Sequence, residues 1–145
     1  MSNKNYEFPS DLLYKRHNYW LKETEGRVRV GLSDYGQNTV GDVLYLELGK
    51  EGQKLQQGEE FGSIEAGKWV GSLQAPISGR IAAVHDELSV KPAAINISPY
   101  QTGWLYEMDN VDESQLKGMM DVNEYRAWVQ EQIQLEEQEC QYNGG

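Results

Sequence analysis

The chain has 145 residues, a single cysteine and a formal net charge of −10. This length is typical of one compact domain with one modest core. The acidic balance argues against nucleic acid as a partner and favours proteins with a positively charged surface. No apolar run is long enough to span a bilayer, and the amino end lacks the apolar segment of a signal peptide. We therefore expect a cytoplasmic protein that does not bind membranes.

Residues 1–12 are interpreted as an amino-terminal extension, and the first predicted hairpin follows them. Residues 20–23 and 27–32 have the apolar and polar pattern of paired strands. Glu25 and Gly26 separate the two runs and favour a tight turn between them.

A one-turn helix and a strand are predicted next. Residues 33–38 begin with Ser and Asp, which commonly cap the amino terminus of a helix. Residues 42–48 are rich in Val, Leu and Tyr and are predicted to form a strand. Val43, Tyr45 and the outer leucines of this strand are expected in the core.

The most informative feature is a predicted β-hairpin with Lys68 at its tip. Residues 59–65 and 69–75 flank the tip, and apolar residues recur at about every second position in both runs, which favours strands. Gly67 is able to adopt the positive φ that a tight turn often requires. We therefore expect Lys68 to project into solvent, where a flexible primary amine is a good target for acylation.

Each residue at the tip also has a second interpretation. Lys68 taken alone could be an ordinary solvated surface charge. Trp69 could pack across the strand pair as a structural aromatic residue. Glu65 lies three residues before Lys68 and could orient a modifying enzyme, hold the tip, repel wrong partners or face solvent.

The segments after the second hairpin are predicted mainly from their Gly, Pro and Asp residues. Residues 86–92 are predicted as a loop and turn, and residues 103–108 as the last strand. Trp104 in that strand is expected to fill the core. Residues 112–116 are predicted to begin a short helix.

A longer carboxy-terminal helix is predicted after Asp121. Asp121 and Glu124 have the spacing of a capping box. The next apolar residues recur at three- and four-residue steps and form a stripe that is expected to pack against the sheets. Residues 135–145 are predicted to be a flexible acidic tail, in which Cys140 is incidental. The residues at these steps are Val122, Tyr125, Trp128, Val129, Gln132 and Ile133, and the apolar ones among them form the stripe.

The sequence offers no catalytic constellation. His17 and His85 are the only histidines, and no Cys/His pair has the spacing of metal ligands. A structural hydrogen bond is predicted for His17, and no acid–base role is predicted for His85 beside Asp86. The chain is therefore predicted to have no enzyme activity of its own.

Four segments around Lys68 resemble the lipoyl and biotinyl carrier fold. They carry a Gly-Asp pair, a turn bounded by two glycines, a Glu-x-x-Lys tip and an Ala-Pro-x-Ser-Gly return turn. The resemblance implies a mainly β barrel-sandwich hybrid, with two antiparallel sheets, short helices and a carboxy-terminal helix. The segments are residues 40–48, 51–59, 64–68 and 75–81.

Within this group the chain is similar to the H proteins of the glycine cleavage system, over residues 13–132. The resemblance implies a carrier domain at residues 13–134 and a lipoate joined by an amide bond to Lys68. Glu65, Gly67 and Trp69 would form its surroundings. The narrower match adds His17-Asn18-Tyr19-Trp20, residues 30–37, residues 96–100 and Gly103-Trp104-Leu105.

The tip departs from the usual glycine cleavage pattern. H proteins of that system usually have Glu-Ser-Val-Lys-Ala, whereas this chain has Glu-Ala-Gly-Lys-Trp at residues 65–69. The Gly-Lys-Trp tip resembles the lipoate-binding proteins of the sulfur-oxidising heterodisulfide-reductase-like system. That branch is our leading hypothesis for the pathway.

The resemblance implies a lipoyl swinging arm that carries thiol-bound intermediates between enzymes. In sulfur oxidation its partner would be a heterodisulfide-reductase-like complex. In glycine cleavage, the second hypothesis, it would carry an aminomethyl group among glycine decarboxylase, an aminomethyltransferase and dihydrolipoyl dehydrogenase. In either pathway a lipoate ligase or lipoyl transferase would attach the group.

Two further hypotheses concern the lysine itself. The chain could be an unmodified scaffold or binding module, although the Gly67-Lys68 tip argues against that hypothesis. It could also carry biotin, but biotin carriers typically have methionine on both sides of their lysine, whereas Gly67 and Trp69 flank Lys68 here. A monomer is expected in every case.

Overall fold

The computed structural model describes residues 6–16 and 18–143, which contain nine strands and five helices. His17 lies outside the described residues, and so does the side chain of Cys140. The strands are β1 Leu13–Lys15, β2 Tyr19–Thr24, β3 Arg27–Leu32, β4 Val43–Leu48, β5 Lys54–Leu55, β6 Glu60–Ala66, β7 Val70–Gln74, β8 Gly79–Val84 and β9 Tyr106–Asp109. The helices are α1 Asp34–Val40, α2 Glu87–Val90, α3 Ala94–Ile97, α4 Glu113–Lys117 and α5 Val122–Asn143.

Two antiparallel sheets make up most of the fold. The larger sheet has the strand order β1-β2-β3-β9-β8-β5, and the smaller has the order β4-β6-β7. Neighbouring strands in both sheets are antiparallel. Together with the short helices and α5, these sheets confirm the predicted mainly β fold class.

The first predicted hairpin is formed by β2 and β3. The pair Thr24 and Arg27 closes it, so that Glu25 and Gly26 alone make the turn. Their φ angles are 50° and 80°. Positive φ at both central residues matches a two-residue turn to the twist of its strands.

The main core lies between the two sheets. Ile64 and Leu73 of the smaller sheet and Ile81 of the larger one are buried in a single apolar cluster. The rings of Phe61 and Tyr106 meet across the sheets, with centroids 4.0 Å apart. Removal of these side chains from water is the main force that holds the sheets together.

A second apolar cluster joins the amino-terminal segment to α5. Phe8 and Leu12 pack there with Tyr14 of β1 and with Tyr125 and Val129 of α5. The rings of Tyr14 and Tyr125 are stacked, with centroids 4.6 Å apart. The described part of the predicted extension is therefore packed against the domain.

The capping box predicted for the carboxy-terminal helix is present at the start of α5. The backbone N–H of Glu124 donates to Oδ1 of Asp121 at 2.8 Å, and the N–H of Asp121 donates to Oε1 of Glu124 at 3.1 Å. Tyr125 and Val129 of the predicted stripe are buried, as expected of the face that packs on the sheets.

α5 runs to Asn143, whereas a flexible tail is predicted from residue 135. The structure differs from that prediction over residues 135–143, and residues 144 and 145 lie outside the described part. The hydroxyl of Tyr35 on α1 donates to Oε1 of Glu136 at 2.8 Å. This contact fixes one of the acidic residues on which the prediction of a solvated tail depends.

Short helices occupy more of the carboxy-terminal half than the sequence predicts. α2 lies within residues 86–92, which are predicted as a loop and turn, and α3 follows it. α4 is predicted correctly, and Asp112 caps it by accepting from the N–H groups of Ser114 and Gln115. In the described part of the chain, no helix is both long and apolar enough to cross a membrane.

Trp104 is only half-buried, and the prediction that it fills the core is wrong. Its ring stacks on His85 with centroids 4.2 Å apart, and the guanidinium carbon of Arg29 lies 4.4 Å from its ring centroid. Leu105 and Tyr106 take the core positions instead. The Arg29 side chain is itself partly exposed, so this cation–π contact keeps the indole near the surface.

Candidate functional site

Lys68 lies at the tip of the β6–β7 hairpin, as predicted, and its side chain is exposed. Glu65 pairs with Val70 at the end of the strands. Beyond that pair, the N–H of Ala66 donates to the carbonyl of Trp69 at 2.9 Å. This hydrogen bond closes a four-residue turn from Ala66 to Trp69, and the side chain of Lys68 extends from the turn into solvent.

Two further backbone hydrogen bonds hold the tip from one side. The N–H of Lys68 donates to the carbonyl of Val40 at 2.8 Å, and the N–H of Gly67 donates to the carbonyl of Asp42 at 2.9 Å. Both acceptors flank Gly41, which connects α1 to β4. The lysine backbone is thus fixed to the end of a helix and does not depend on the hairpin alone.

Gly41 makes this approach possible. Its φ and ψ are 84° and −165°, a region that side chains with a β-carbon disfavour strongly. A β-carbon at this position would lie 3.0 Å from Cγ and 3.1 Å from the backbone nitrogen of Lys68. Glycine is therefore required here both by conformation and by the lysine.

Asn96 of α3 fixes the same connection from the opposite side. Its Oδ1 accepts from the N–H of Val43 at 2.9 Å, and its Nδ2 donates to the carbonyl of Gly41 at 2.9 Å and to Oε1 of Gln37 at 3.0 Å. One amide side chain thus joins α1, the connection and β4. Asn96 begins one of the segments that resemble H proteins, but only the structure shows that it supports the tip.

Gly67 does not have the positive φ that is predicted for it, since it is absent from the positive-φ residues of the described chain. A β-carbon there would lie 3.7 Å from the nitrogen of Asp42, which is an ordinary contact. The prediction is wrong because the turn is closed by hydrogen bonds that an ordinary backbone conformation allows. A β-carbon at position 67 would therefore fit.

Trp69 is 43% exposed and packs against the start of β7, the strand that follows it. A β-carbon at Gly71 would lie 2.5 Å from Cζ2 of the indole, so the ring covers that glycine. The interpretation of Trp69 as an aromatic residue that serves the hairpin structure is therefore partly correct, although the contact follows the strand and does not cross it.

Trp69 is one of the residues that line a surface cavity of about 360 Å³. Its lining includes Val40, Leu32, Ser72 and Tyr19, and the lining residues that the structure describes are all uncharged. Burial raises the pKa of the Tyr19 phenol to about 12, so this wall stays neutral at physiological pH. The cavity is suited to an uncharged, partly apolar group.

Glu65 is exposed on the outer face of the smaller sheet, between Tyr45 and Val70. Its side chain has no hydrogen-bond or ion-pair partner among the described residues. The interpretation in which Glu65 holds the tip is thus without a contact to support it, while orientation of a partner and plain solvation remain compatible with its position.

His85 lies away from the tip, and the hydrogen bond predicted for His17 falls outside the described residues. Nδ1 of His85 lies 2.7 Å from the carbonyl of Trp104, and its ring takes part in the stack described above. The described residues contain no group of three or more His, Cys, Asp or Glu side chains that could hold a metal ion.

Lys68 fits an amide-linked prosthetic group. Its side chain is exposed, has no ion-pair or hydrogen-bond partner among the described residues, and stands beside a neutral cavity. A primary amine presented in this way reacts with activated carboxyl groups, and the resulting amide carries no charge.

Comparisons with known proteins give one consistent family. The family described as Glycine cleavage H-protein matches residues 12–132. A glycine cleavage system H protein of Oceanobacillus iheyensis is 35% identical over 123 residues, which cover 85% of this chain and 98% of that protein. One from Anaeromyxobacter sp. is 40% identical over 126 residues, which cover 87% and 98% respectively.

A solved structure supports the same assignment. The crystal structure of a glycine cleavage system H protein from Mycobacterium marinum matches with a TM-score of 0.75 and 30% identity. The match covers 84% of this chain and 98% of that one. The two antiparallel sheets and the carboxy-terminal helix are thus the fold of an H protein.

These comparisons favour the glycine cleavage hypothesis over the sulfur-oxidising branch, to which they give no support. The preference for sulfur oxidation depends on the three tip residues Gly67, Lys68 and Trp69. The structure does not require glycine at position 67, and the side chain of Trp69 serves a local contact with Gly71. H proteins of this family are non-catalytic carriers with a lipoate attached covalently to a lysine. The chain belongs to the glycine cleavage H-protein family.

Proposed function

We propose that this protein is the lipoyl-carrying component of a glycine cleavage system and that Lys68 is its attachment residue. The observation that carries the proposal is the exposed Lys68 at a hairpin tip whose backbone is bonded to Val40 and Asp42. Residues 13–134 form the carrier domain in this proposal.

In this function the residues around the tip position the Nζ amine of Lys68 for acylation. The Nζ of Lys68 loses a proton and forms an amide bond with the carbonyl carbon of an activated lipoate, whose activating group departs. The bound lipoyl group supplies a dithiolane that opens to two thiols and exchanges with other thiols and disulfides. Val40, Asp42 and Gly41 fix where the arm starts.

The neutral cavity beside the tip offers a place for part of the arm. It is lined by Trp69, the residue after Lys68, and by Val40, whose carbonyl accepts from the Lys68 backbone. An apolar chain leaves water at a gain in free energy when it enters such a cavity. We infer that the arm rests there between visits to enzymes.

The partners follow from this function. They are the lipoate ligase or lipoyl transferase that acylates Lys68, glycine decarboxylase, an aminomethyltransferase and dihydrolipoyl dehydrogenase. The net charge of −10 favours fast, salt-sensitive encounters with basic enzyme surfaces. The proposal includes a monomeric carrier in the cytoplasm, without nucleic-acid or membrane partners.

The tip sequence favours a second candidate, carriage of sulfur intermediates for a heterodisulfide-reductase-like complex. Gly67 and Trp69 stand where glycine cleavage H proteins usually have Val and Ala. A partner that approaches Lys68 contacts both positions, because both are exposed. The two candidates share the lipoyl-lysine and differ in the enzyme that uses it.

The intact mass of protein from its native host tests the attachment, together with a peptide map across Lys68 and a Lys68→Arg variant. A lipoyl increment at Lys68 that is lost in the variant is expected. An unmodified Lys68 would overturn the proposal and leave the scaffold hypothesis. Loaded protein is then mixed with purified glycine decarboxylase and glycine, and release of CO₂ that requires the carrier is expected. Failure of that second step with a lipoylated protein would favour sulfur carriage.

A further inference from the structure

A bulge in β4 turns two consecutive large apolar side chains toward solvent. Val43 pairs with Ala66 and Tyr45 pairs with Glu65, so Leu44 is the extra residue between two adjacent pairs. In a regular strand successive side chains point to opposite faces. Here Leu44 is 63% exposed and Tyr45 is 61% exposed, while Val43 and Leu46 on either side are buried.

The bulge contradicts the prediction that Tyr45 lies in the core. One extra residue shifts the alternation by one place, so that Leu46 takes the inward position. The fold thereby exposes an aromatic ring that a regular strand would have buried. Bulges are common beside functional sites, where they redirect a side chain.

The redirected side chains lie next to the lysine tip. Val43 is opposite Ala66, two residues before Lys68, and Tyr45 shares one row across the smaller sheet with Glu65 and Val70. Val70 is 69% exposed. We call Leu44, Tyr45 and Val70 the tip-flanking patch.

Exposed apolar residues are concentrated around this hairpin. Among the described residues seven large hydrophobic side chains are exposed, and four of them are in or next to the patch. Those four are Leu44, Tyr45, Trp69 and Val70. Apolar groups that gather at one edge of a charged, acidic protein mark a surface for a protein partner.

We propose that the tip-flanking patch is the docking surface for the enzyme that acylates Lys68. The proposal rests on the function proposed above. It identifies the surface of the carrier to which that enzyme binds. The free lysine reaches only as far as its four-carbon stem. An enzyme that acts on its Nζ must therefore lie directly against the strands that flank the tip, whereas an enzyme that acts on a completed arm need not.

Charge defines the chemistry of the matching surface. Glu65 lies in the centre of the row, between Tyr45 and Val70, and has no ion-pair partner among the described residues. The partner surface is accordingly an apolar recess with an arginine or lysine opposite Glu65. An ion pair within an apolar contact gives orientation and association rate more than affinity.

Acylation kinetics of full-length variants test the patch. The probe is a purified lipoate–protein ligase with lipoate and ATP, and the lipoyl mass increment is followed with time. Leu44→Ser and Tyr45→Ser are expected to lower kcat/KM about tenfold each, through KM, as central interface residues do. Leu135→Ser is the matched control, because Leu135 is also an exposed leucine, at 50%, but lies on α5.

A binding measurement separates docking from chemistry. In the Lys68→Arg background, which cannot be acylated, the Kd for the ligase is expected to rise about tenfold with Tyr45→Ser and to stay constant with Leu135→Ser. Glu65→Gln is expected to reduce the salt dependence of association, and Glu131→Gln on α5 is its control. Circular dichroism and thermal unfolding establish that each variant is folded.

The outcomes distinguish the two proposals. Wild-type protein that the ligase does not acylate at Lys68 would overturn the proposed function. Wild-type protein that is acylated, with unchanged KM and Kd in folded Leu44→Ser and Tyr45→Ser variants, would overturn the docking surface and leave the proposed function intact.

Discussion

The indole ring of Trp69 fills the space that a side chain at Gly71 would need. A β-carbon built on Gly71 would lie 2.5 Å from Cζ2 and 2.7 Å from Cη2 of that ring. The aromatic residue after the lysine and the glycine two positions further on are therefore a matched pair. Trp69 of this pair also lines the neutral cavity beside the tip.

Gly71→Ala is expected to push the Trp69 ring outward with little loss of stability. The clash involves the far end of a half-exposed side chain, which is able to turn away, so a change below about 1 kcal/mol is expected. Acrylamide should quench the Trp69 contribution to fluorescence more strongly in this variant. Trp69→Phe identifies that contribution, and an unchanged quenching constant would contradict the pairing.

Gly41→Ala is expected to destabilise the protein by about 1–3 kcal/mol, because its backbone conformation is strained for any residue with a β-carbon. It should also slow acylation of Lys68, since the new carbon would contact the lysine at 3.0 Å. Gly26→Ala is the control, with a φ of 80° and open space around it. The control should lose stability in urea unfolding without slower acylation.

Asn96→Ala is expected to cost about 1–3 kcal/mol, since it leaves the N–H of Val43 without its acceptor. Loss of the bond to Gly41 should loosen the connection that holds the tip. Hydrogen exchange at the amides of Gly67 and Lys68 should then accelerate. Ile97→Ala, an exposed neighbour on the same helix, should leave both exchange rates unchanged.

Two tyrosine-to-phenylalanine substitutions are expected to act in opposite directions. The hydroxyl of Tyr106 is buried without a hydrogen-bond partner among the described residues, so Tyr106→Phe should keep or raise stability by up to about 1 kcal/mol. The hydroxyl of Tyr125 lies 2.6 Å from Oγ of Ser33, and Tyr125→Phe should lose about 1 kcal/mol. Equal free energies of unfolding for the two variants in urea would be the contrary result.

Stability is expected to fall in alkaline solution. Burial raises the pKa of Tyr19 to about 12 and raises the pKa values of Tyr14, Tyr106 and Tyr125 above the usual 10.0. The folded state binds these protons more tightly, so its advantage is complete below about pH 10 and is lost as the pH rises through the folded-state pKa values. Circular dichroism should therefore change together with the ionisation of these buried tyrosines above about pH 10, and ionisation of all four in a protein that keeps its native circular dichroism would contradict this linkage.

Local patterns predict the hairpins and the exposure of the lysine. The turn at Glu25 and Gly26 and the alternation of β6 and β7 are properties of neighbouring residues, and they appear in the structure where the sequence places them. The capping box of Asp121 and Glu124 is equally local. These features depend on backbone preferences that a short segment carries by itself.

Local patterns do not predict contacts between residues that are far apart in the sequence. Asn96 meets Val43 across 53 positions of the chain, and Tyr35 meets Glu136 across 101. The bulge at Leu44 depends on how β4 pairs with β6, which no pattern within β4 specifies. The tip support, the extension of α5 and the exposure of Tyr45 therefore require the structure.

The hydrogen bonds that hold the tip use only main-chain atoms of Ala66, Gly67, Lys68 and Trp69. Side chains at the neighbouring positions are thus able to change without moving the lysine. The position of Lys68 and the surface that surrounds it are separate properties of this hairpin. A few substitutions at the exposed positions beside Lys68 can therefore change the surface that this hairpin presents, while the backbone bonds that position the lysine stay the same.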